Sequence, residues 1–379
     1  MNKLNLKREV LPLKTETGRL FTINREFLAD LVEELESFLQ NEDFMNNRTF
    51  SKKVLFTHEI KANNTVEGIN DSVSLIEKVI ENAKSVSDIE RRNRIINLYN
   101  GYRYILEGQE INEDTVKYLY NILSKGLLDI RDEERMGDKY RTAPVYILRN
   151  GRLDGTMDHG LEADEIEEYM KVFFDYVNNG DKFSSPTDYF IKSQIMHFYF
   201  VYIHPYFDMN GRTSRTVAMW YLLNNDIYPY IIFNRGINFD TSYDETIREC
   251  KSRYELTKFI RYMLINVKKE LEKEYVMHYL RIASGRKWET LDYQTIEYFL
   301  SMKGNKTVLD YARLYNYFND KKRVKDIYSS LEPLIMDGTL KIVRETKKMM
   351  FADEPNKEIV INLEQLRDVD MSKVKRLTL

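Results

Sequence analysis

The stretch from His204 to Arg215 gathers the groups needed to move a phosphate-linked substituent onto a hydroxyl: His-Pro-Tyr-Phe-Asp-Met-Asn-Gly-Arg-Thr-Ser-Arg. His204 is a base that titrates near neutral pH. Asp208 is the only acid in the stretch. It suits Mg²⁺, a hard ion often held by one or two carboxylates together with phosphate oxygens. Asn210 and Gly211 allow a tight turn close to a phosphate. Arg212 and Arg215 are three positions apart. On a helix they share a face and reach the same polyanion. Taken singly, each residue has a plainer reading. A lone His at a helix end is usually a structural hydrogen-bonder, paired arginines are usually a solvated face, and an Asp in a loop is a turn residue. Their order is what points to chemistry.

These side chains need elements to hold them. Residues 187–203 form a strongly aromatic pattern, with Tyr189, Phe190, Phe198, Tyr199, Phe200 and Tyr202. This predicts a helix buried around much of its circumference. His204-Pro205 ends it, because the residue before proline is pushed away from helical geometry. A second helix is predicted from about Gly211 to Asn224. The stretch therefore sits where unpaired backbone N–H groups and the positive end of a helix dipole make an anion site.

Further helices are predicted near 20–45 (Leu28, Leu31, Leu35, Leu39), 85–107 (Ile89, Ile95, Leu98, Tyr102, Ile105) and 112–126, with Asn112 as N-cap. Others are predicted at 162–178, 240–250 and 255–283. Val145 to Leu148, then Asn150-Gly151 and Arg152-Leu153, predict a β-hairpin. It is the one β feature expected before residue 280. A domain boundary is placed at 284–290. The segment beyond it, with helices and then Leu340 to Val343 and Met349 to Phe351, predicts a winged-helix-like module.

The stretch resembles the signature of the Fic family, His-Pro-Phe-x-Asp/Glu-Gly-Asn-Gly/Lys-Arg-x-x-Arg. His204, Pro205, Asp208, Asn210, Gly211, Arg212 and Arg215 match it. The resemblance extends over about residues 50–280. It implies a mainly α chain, a Fic-type helical domain with a β-hairpin flap followed by the winged-helix-like module. The regions expected are 1–110, 111–283 and 284–379. The implied activity is protein adenylyl transfer: AMP passes from ATP to a Ser, Thr or Tyr hydroxyl of a target protein or of the chain itself.

By this resemblance His204 is the general base and Asp208 holds Mg²⁺ between the α- and β-phosphates. Asn210 and Gly211 contact phosphates, Arg212 takes the β-phosphate and Arg215 the γ-phosphate. Tyr243 helps line the base pocket. The flap, Val145 to Leu153, docks the target by strand addition. Tyr206 replaces the usual Phe, and Ser214 stands where Gly or Ala is common. Met209 replaces a Gly that lies against the phosphates, and is expected to force a different turn or to narrow the nucleotide site.

Residues 63–68, Asn-Asn-Thr-Val-Glu-Gly, resemble the family's inhibitory motif, Ser/Thr-x-x-x-Glu-Gly/Asn. Glu67 and Gly68 match, and Asn63 stands where Ser or Thr is usual. The resemblance implies that Glu67 pairs with Arg215 and denies it to the γ-phosphate. The plainer reading is a helix C-cap at Gly68 beside a surface Glu.

Alternatives stay open at this point. The group transferred is UMP, phosphate or phosphocholine instead of AMP. His197, His204 and Asp208 are metal ligands of a hydrolase. The C-terminal module binds DNA through Lys321, Lys322, Arg323 and Lys325, whereas its interspersed acids favour target docking or homodimer formation.

The bulk composition is that of a folded chain with a core. There are 379 residues, 43% hydrophobic and 31% charged, with net charge −3. Nothing in that balance signals nucleic-acid or membrane binding by the whole molecule. Cys250 is the only cysteine, which excludes an internal disulfide and fits a reducing compartment. The N-terminus lacks the apolar run of a signal peptide, and no span of ~18 apolar residues occurs. A cytoplasmic location is expected.

Overall fold

The computed structural model describes residues 8–46, 52–147, 158–180, 182–227, 241–301, 306–318, 323–348 and 355–371. In chain order its strands are β1 Glu9–Lys14, β2 Leu20–Ile23, β3 Tyr146–Ile147, β4 Asp158–His159, β5 Lys306–Thr307, β6 Leu340–Lys348 and β7 Pro355–Ile361. The helices up to the middle of the chain are α1 Ala29–Leu39, α2 Glu42–Asn46, α3 Lys52–Val66, α4 Val73–Glu81, α5 Ile89–Ile105, α6 Glu113–Ser124, α7 Ile130–Glu134 and α8 Ile166–Val177. They continue with α9 Pro186–Ile203, α10 Asn210–Asn224, α11 Thr241–Arg253, α12 Thr257–Ser284, α13 Thr290–Ser301, α14 Val308–Phe318 and α15 Val324–Met336. The chain is mainly helical, as the sequence predicts.

The centre of the first compact unit is α9, packed against α10. Ser185 caps α9, its hydroxyl accepting from the Thr187 amide at 3.0 Å. Pro186 opens the first turn, where its missing N–H is no loss. Phe190, Ile195, Phe198, Tyr199, Phe200 and Ile203 are all at most 1% exposed. The phenols on α9 find partners: Tyr199 donates to the Lys14 carbonyl at 3.0 Å and Tyr202 to the Glu16 carboxylate at 3.0 Å. α6 starts as predicted, with Asn112 and Thr115 forming a reciprocal cap.

One expectation is corrected. The hairpin near 150 is not the only β feature of the first 280 residues. β1 and β2 pair antiparallel, with Glu9 opposite Ile23. Leu11, Leu13, Phe21 and Ile23 turn inward, and the Phe21 ring meets Phe198, Tyr199 and Tyr202 edge-on at 5.1–6.0 Å. Pro12 hides this strand from a pattern search, yet proline is tolerated at the edge of a two-stranded sheet. The Asn150-Gly151 turn itself lies outside the described residues. On either side of it, β3 and β4 pair as Tyr146↔His159 and Ile147↔Asp158.

The described residues of Met1–Glu36, Phe50–Ile69 and Ile76–Val267 form one unit; those of Ser37–Thr49, Asn70–Leu75 and Lys268–Leu379 form another. Gly285, at φ 66°, ends α12 and gives the sequence its linker-like break at 284–290.

The second unit orders its sheet β5–β7–β6, all antiparallel. Arg286 bonds both Asp292 oxygens at 2.8 Å and Asp337 at 2.5 Å, fastening the start of α13 to the end of α15. No helix among the described residues is long and apolar enough to cross a membrane.

Candidate active site

α9 ends at His204, whose amide donates to the Phe200 carbonyl at 2.9 Å. Its backbone is left-handed, φ 55° and ψ 60°, which turns the chain sharply. Nδ1 lies 3.3 Å from the Val201 carbonyl. That contact favours the proton on Nδ1 and leaves the Nε2 lone pair as the basic one.

The loop that follows is fixed from inside. Tyr206 is 1% exposed, and its ring stacks on Tyr120 at 3.7 Å. The Lys117 ammonium sits over both rings, at 5.0 and 5.5 Å. Burial, then Tyr120 and Glu113, push the Tyr206 phenol well above its ordinary range, so it stays neutral. Asn210 closes the loop: Oδ1 accepts from the Tyr206 amide at 3.0 Å, and Nδ2 donates to the Tyr206 carbonyl at 2.7 Å. The expectation that Asn210 faces phosphate is thereby narrowed, since its side-chain amide is committed to the loop. Asp208 is exposed, and one oxygen accepts from the Met209 amide at 2.6 Å.

Met209 adopts φ 65° and ψ 7°, the left-handed conformation that glycine reaches without strain. Its side chain is 6% exposed, with Sδ 3.0 Å from Arg212 Nη1. α10 then starts at Asn210, and no side chain caps it. Its first amides face the loop as an anion site would require.

Arg215, one turn into α10, is 1% exposed. Glu67 Oε1 meets its Nη2 at 2.5 Å. Asn63 Oδ1 accepts from both Nε, at 2.9 Å, and Nη2, at 2.7 Å. Asn63 and Glu67 are four residues apart at the end of α3, so both face α10. Asn63 Nδ2 is steadied by the Tyr102 hydroxyl at 3.2 Å. Gly68, at φ 74°, reverses the chain just after Glu67. A Cβ on Gly211 would stand 3.0 Å from both Arg215 Nη1 and Glu67 Oε1, so the ion pair runs across the glycine. Burial would raise the Glu67 carboxyl, but Arg215, Arg212 and His204 together hold it below the usual carboxylate range. Burial pulls Arg215 down, and Glu67 and Tyr243 more than restore it. An acid therefore engages the buried Arg215 guanidinium beside the start of α10.

A family model described as the Fic/DOC family matches residues 110–222. A curated relative, "Protein adenylyltransferase Fic" of Nematostella vectensis, is 26% identical over 187 residues. The match covers 48% of this chain and 40% of that protein, so it spans less than half of the relative's length. A crystal structure of a Fic family protein from Desulfovibrio desulfuricans G20 superposes with TM-score 0.55 at 15% identity. It covers 88% of this chain and 96% of that one, and shows a shared fold. This chain carries a Fic-family domain.

Beyond the matched Fic segment, Tyr243 is buried, and its hydroxyl lies 2.7 Å from His197 Nε2. The phenol thus belongs to a buried group with His197 and Arg215. Burial, then Arg215, drive the His197 pKa well below its ordinary value. It stays neutral. The hydrolase reading of His197, His204 and Asp208 gains no support, since no group of three His, Cys, Asp or Glu placed to hold a metal occurs among the described residues.

Sequence reasoning missed Arg141, Gly160 and the full part of Asn63. Arg141 is 2% exposed, and its Nε donates to the His204 carbonyl at 2.9 Å. Arg141 lies in a turn-rich stretch without periodicity, so no pattern marks it. Gly160 leaves space for the same assembly: its Cβ would stand 2.7 Å from the His204 Cβ and from Arg141 Nη2.

Proposed function

We propose that the chain is a Fic-type transferase that moves AMP from ATP to a Ser, Thr or Tyr hydroxyl, of a target protein or of itself, and that Glu67 holds it off. The observation that carries this reading is the Glu67–Arg215–Asn63 cluster set across Gly211 at the start of α10. A carboxylate held there by Arg215 occupies a place suited to phosphate oxygens.

In the proposed reaction His204 Nε2 takes the proton of the target hydroxyl. The hydroxyl oxygen attacks the α-phosphorus, and the bond from that phosphorus to the bridging oxygen of the β-phosphate breaks. Pyrophosphate leaves. Arg212, Gly211 and the first amides of α10 bind the β-phosphate, and Arg215, once freed of Glu67, binds the γ-phosphate. Exposed Asp208 offers the oxygen ligand that Mg²⁺ prefers, and the ion, when bound, would neutralise phosphate charge. The arms β3 and β4 are suited to docking the target by strand addition. We place this activity in the cytoplasm, following the sequence expectation.

A second reading, transfer of UMP, phosphate or phosphocholine, is kept because buried Met209 lies against Arg212. We read the second unit as winged-helix-like. Its helix–strand–helix–helix–strand–strand order and β5–β7–β6 sheet support that, with target docking or self-association as its role.

The test is intact-mass spectrometry of the Glu67→Gly protein incubated with mixed nucleotides. The expected result is an added AMP in Glu67→Gly, little in wild type, and none in Glu67→Gly/His204→Ala, which still binds ATP. A different added mass would identify another transferred group. Equal labelling of wild type and Glu67→Gly would remove the inhibitory role.

A further inference from the structure

Arg141 precedes the flap, and its side chain is buried, with Glu162 acting on it only through space. Its donors go to main-chain carbonyls instead. Nε donates to His204 at 2.9 Å, Nη1 to Ala143 at 2.7 Å, and Nη2 to Leu161. Its own amide donates to Pro205 at 3.0 Å. Ala143 lies just before β3 and Leu161 just after β4, so both stems of the flap end on one guanidinium. The third carbonyl belongs to His204. The Leu161 amide adds a bond to Ile203 at 3.3 Å.

This arrangement answers two physical needs. The last carbonyls of a helix have no partner within it, and Arg141 supplies one for His204 at the end of α9. A non-glycine residue at positive φ persists only where its surroundings determine it. The bonds to the carbonyls of His204 and Pro205 do so here. The three side-chain acceptors diverge around a planar fork, which arginine matches and a lysine ammonium does not. A second tie holds the flap base: Lys251 Nζ donates to the His159 carbonyl at 2.6 Å.

We infer that Arg141 is a positioning residue that sets the candidate base His204 and the target-docking flap in one register. It rests on the transferase reading for its kinetic consequence, but not for the coupling itself. The flap fixes where a target hydroxyl arrives and His204 fixes where its proton goes. Arg141 is the group bonded to both. A misplacement of about 1 Å between reacting groups is enough to lower a rate roughly 10²-fold.

The experiment uses the full chain in two parts. In the Glu67→Gly background, Arg141→Lys is expected to lower the maximal rate of automodification about 10²-fold, with the apparent KM for ATP changed less than about twofold. Gly160→Ala, which crowds the same contact while keeping the Arg141 donors, is expected to lower the rate in the same selective way. A purely structural role would instead lower stability and leave the rate per folded molecule unchanged. In parallel, hydrogen exchange is measured on Arg141→Lys without nucleotide. The amides of residue 141 and Leu161 are expected to exchange faster together, with α9 and α10 still protected. If automodification never depends on His204, the transferase reading fails while the exchange result still decides the coupling. Unchanged exchange at both amides, or an unchanged rate in both variants of an enzyme that does depend on His204, would overturn the role given to Arg141.

Discussion

Met209 sets two terms against each other. A left-handed non-glycine residue is strained by roughly 1–2 kcal/mol, whereas a buried methionine side chain contributes about 1.5–3 kcal/mol. Met209→Gly relieves the first and loses the second. It is expected to destabilise the protein by about 1 kcal/mol in chemical denaturation. It also removes the Sδ contact on Arg212, so ATP affinity, read by direct titration, is expected to rise several-fold. A larger stability loss with no gain in affinity would show that Met209 shapes the site instead of narrowing it. At this scale the sequence was informative where the chemistry is contiguous. His204 to Arg215 fall in one loop and one helix turn, and their order carried the inference. Glu67 came through a resemblance, because nothing in a helix end announces a partner far along the chain. Arg141 was illegible for a firmer reason: its partners are backbone carbonyls, which every residue type presents alike.

At the scale of elements, α3 matters more through its end than through its face. Gly68 stops the helix in the left-handed conformation, with the Gly68 amide on Thr65 and the Ile69 amide on Asn64, both at 2.9 Å. That closure aims Glu67 at α10. Ala at such a φ is strained where glycine is not, so Gly68→Ala is expected to cost about 1 kcal/mol. The same change loosens the Glu67 turn, so labelling in the absence of any other substitution is expected to rise several-fold. Stability falling while labelling rises separates this from a general loss of fold; both falling together would remove Gly68 from the control of Arg215. Long periodic helices such as α5, α6, α9 and α12 were readable because burial imposes a repeat on them. β1 and β2 were not, since each is short, β1 contains Pro12, and Phe21 of β2 packs on aromatic residues far along the chain.

At the scale of the molecule, the charge pattern of the second unit bears on what it binds. α15 exposes Arg323 and Lys325 beside Asp326 and Glu332. Arg323 is already paired with Asp326 at 3.0 and 3.2 Å, and Lys357 lies over the Tyr328 ring at 4.5 Å. A helix that reads a DNA groove needs cations free for phosphates, because counterion release supplies most of the non-specific affinity. Here the cations on the exposed face are offset by neighbouring acids, and the chain as a whole carries −3. The full-length protein is therefore expected to show no salt-dependent retention of a labelled duplex in fluorescence anisotropy. A contact with 6–10 phosphates would instead lose about 10³–10⁵ in affinity between roughly 50 and 200 mM salt. A slope of that size would assign the second unit to nucleic acid and make the Fic domain a passenger on a DNA-bound module. A flat response leaves the protein surface of the second unit as its binding face, and directs the search for partners to proteins that present a hydroxyl to the flap.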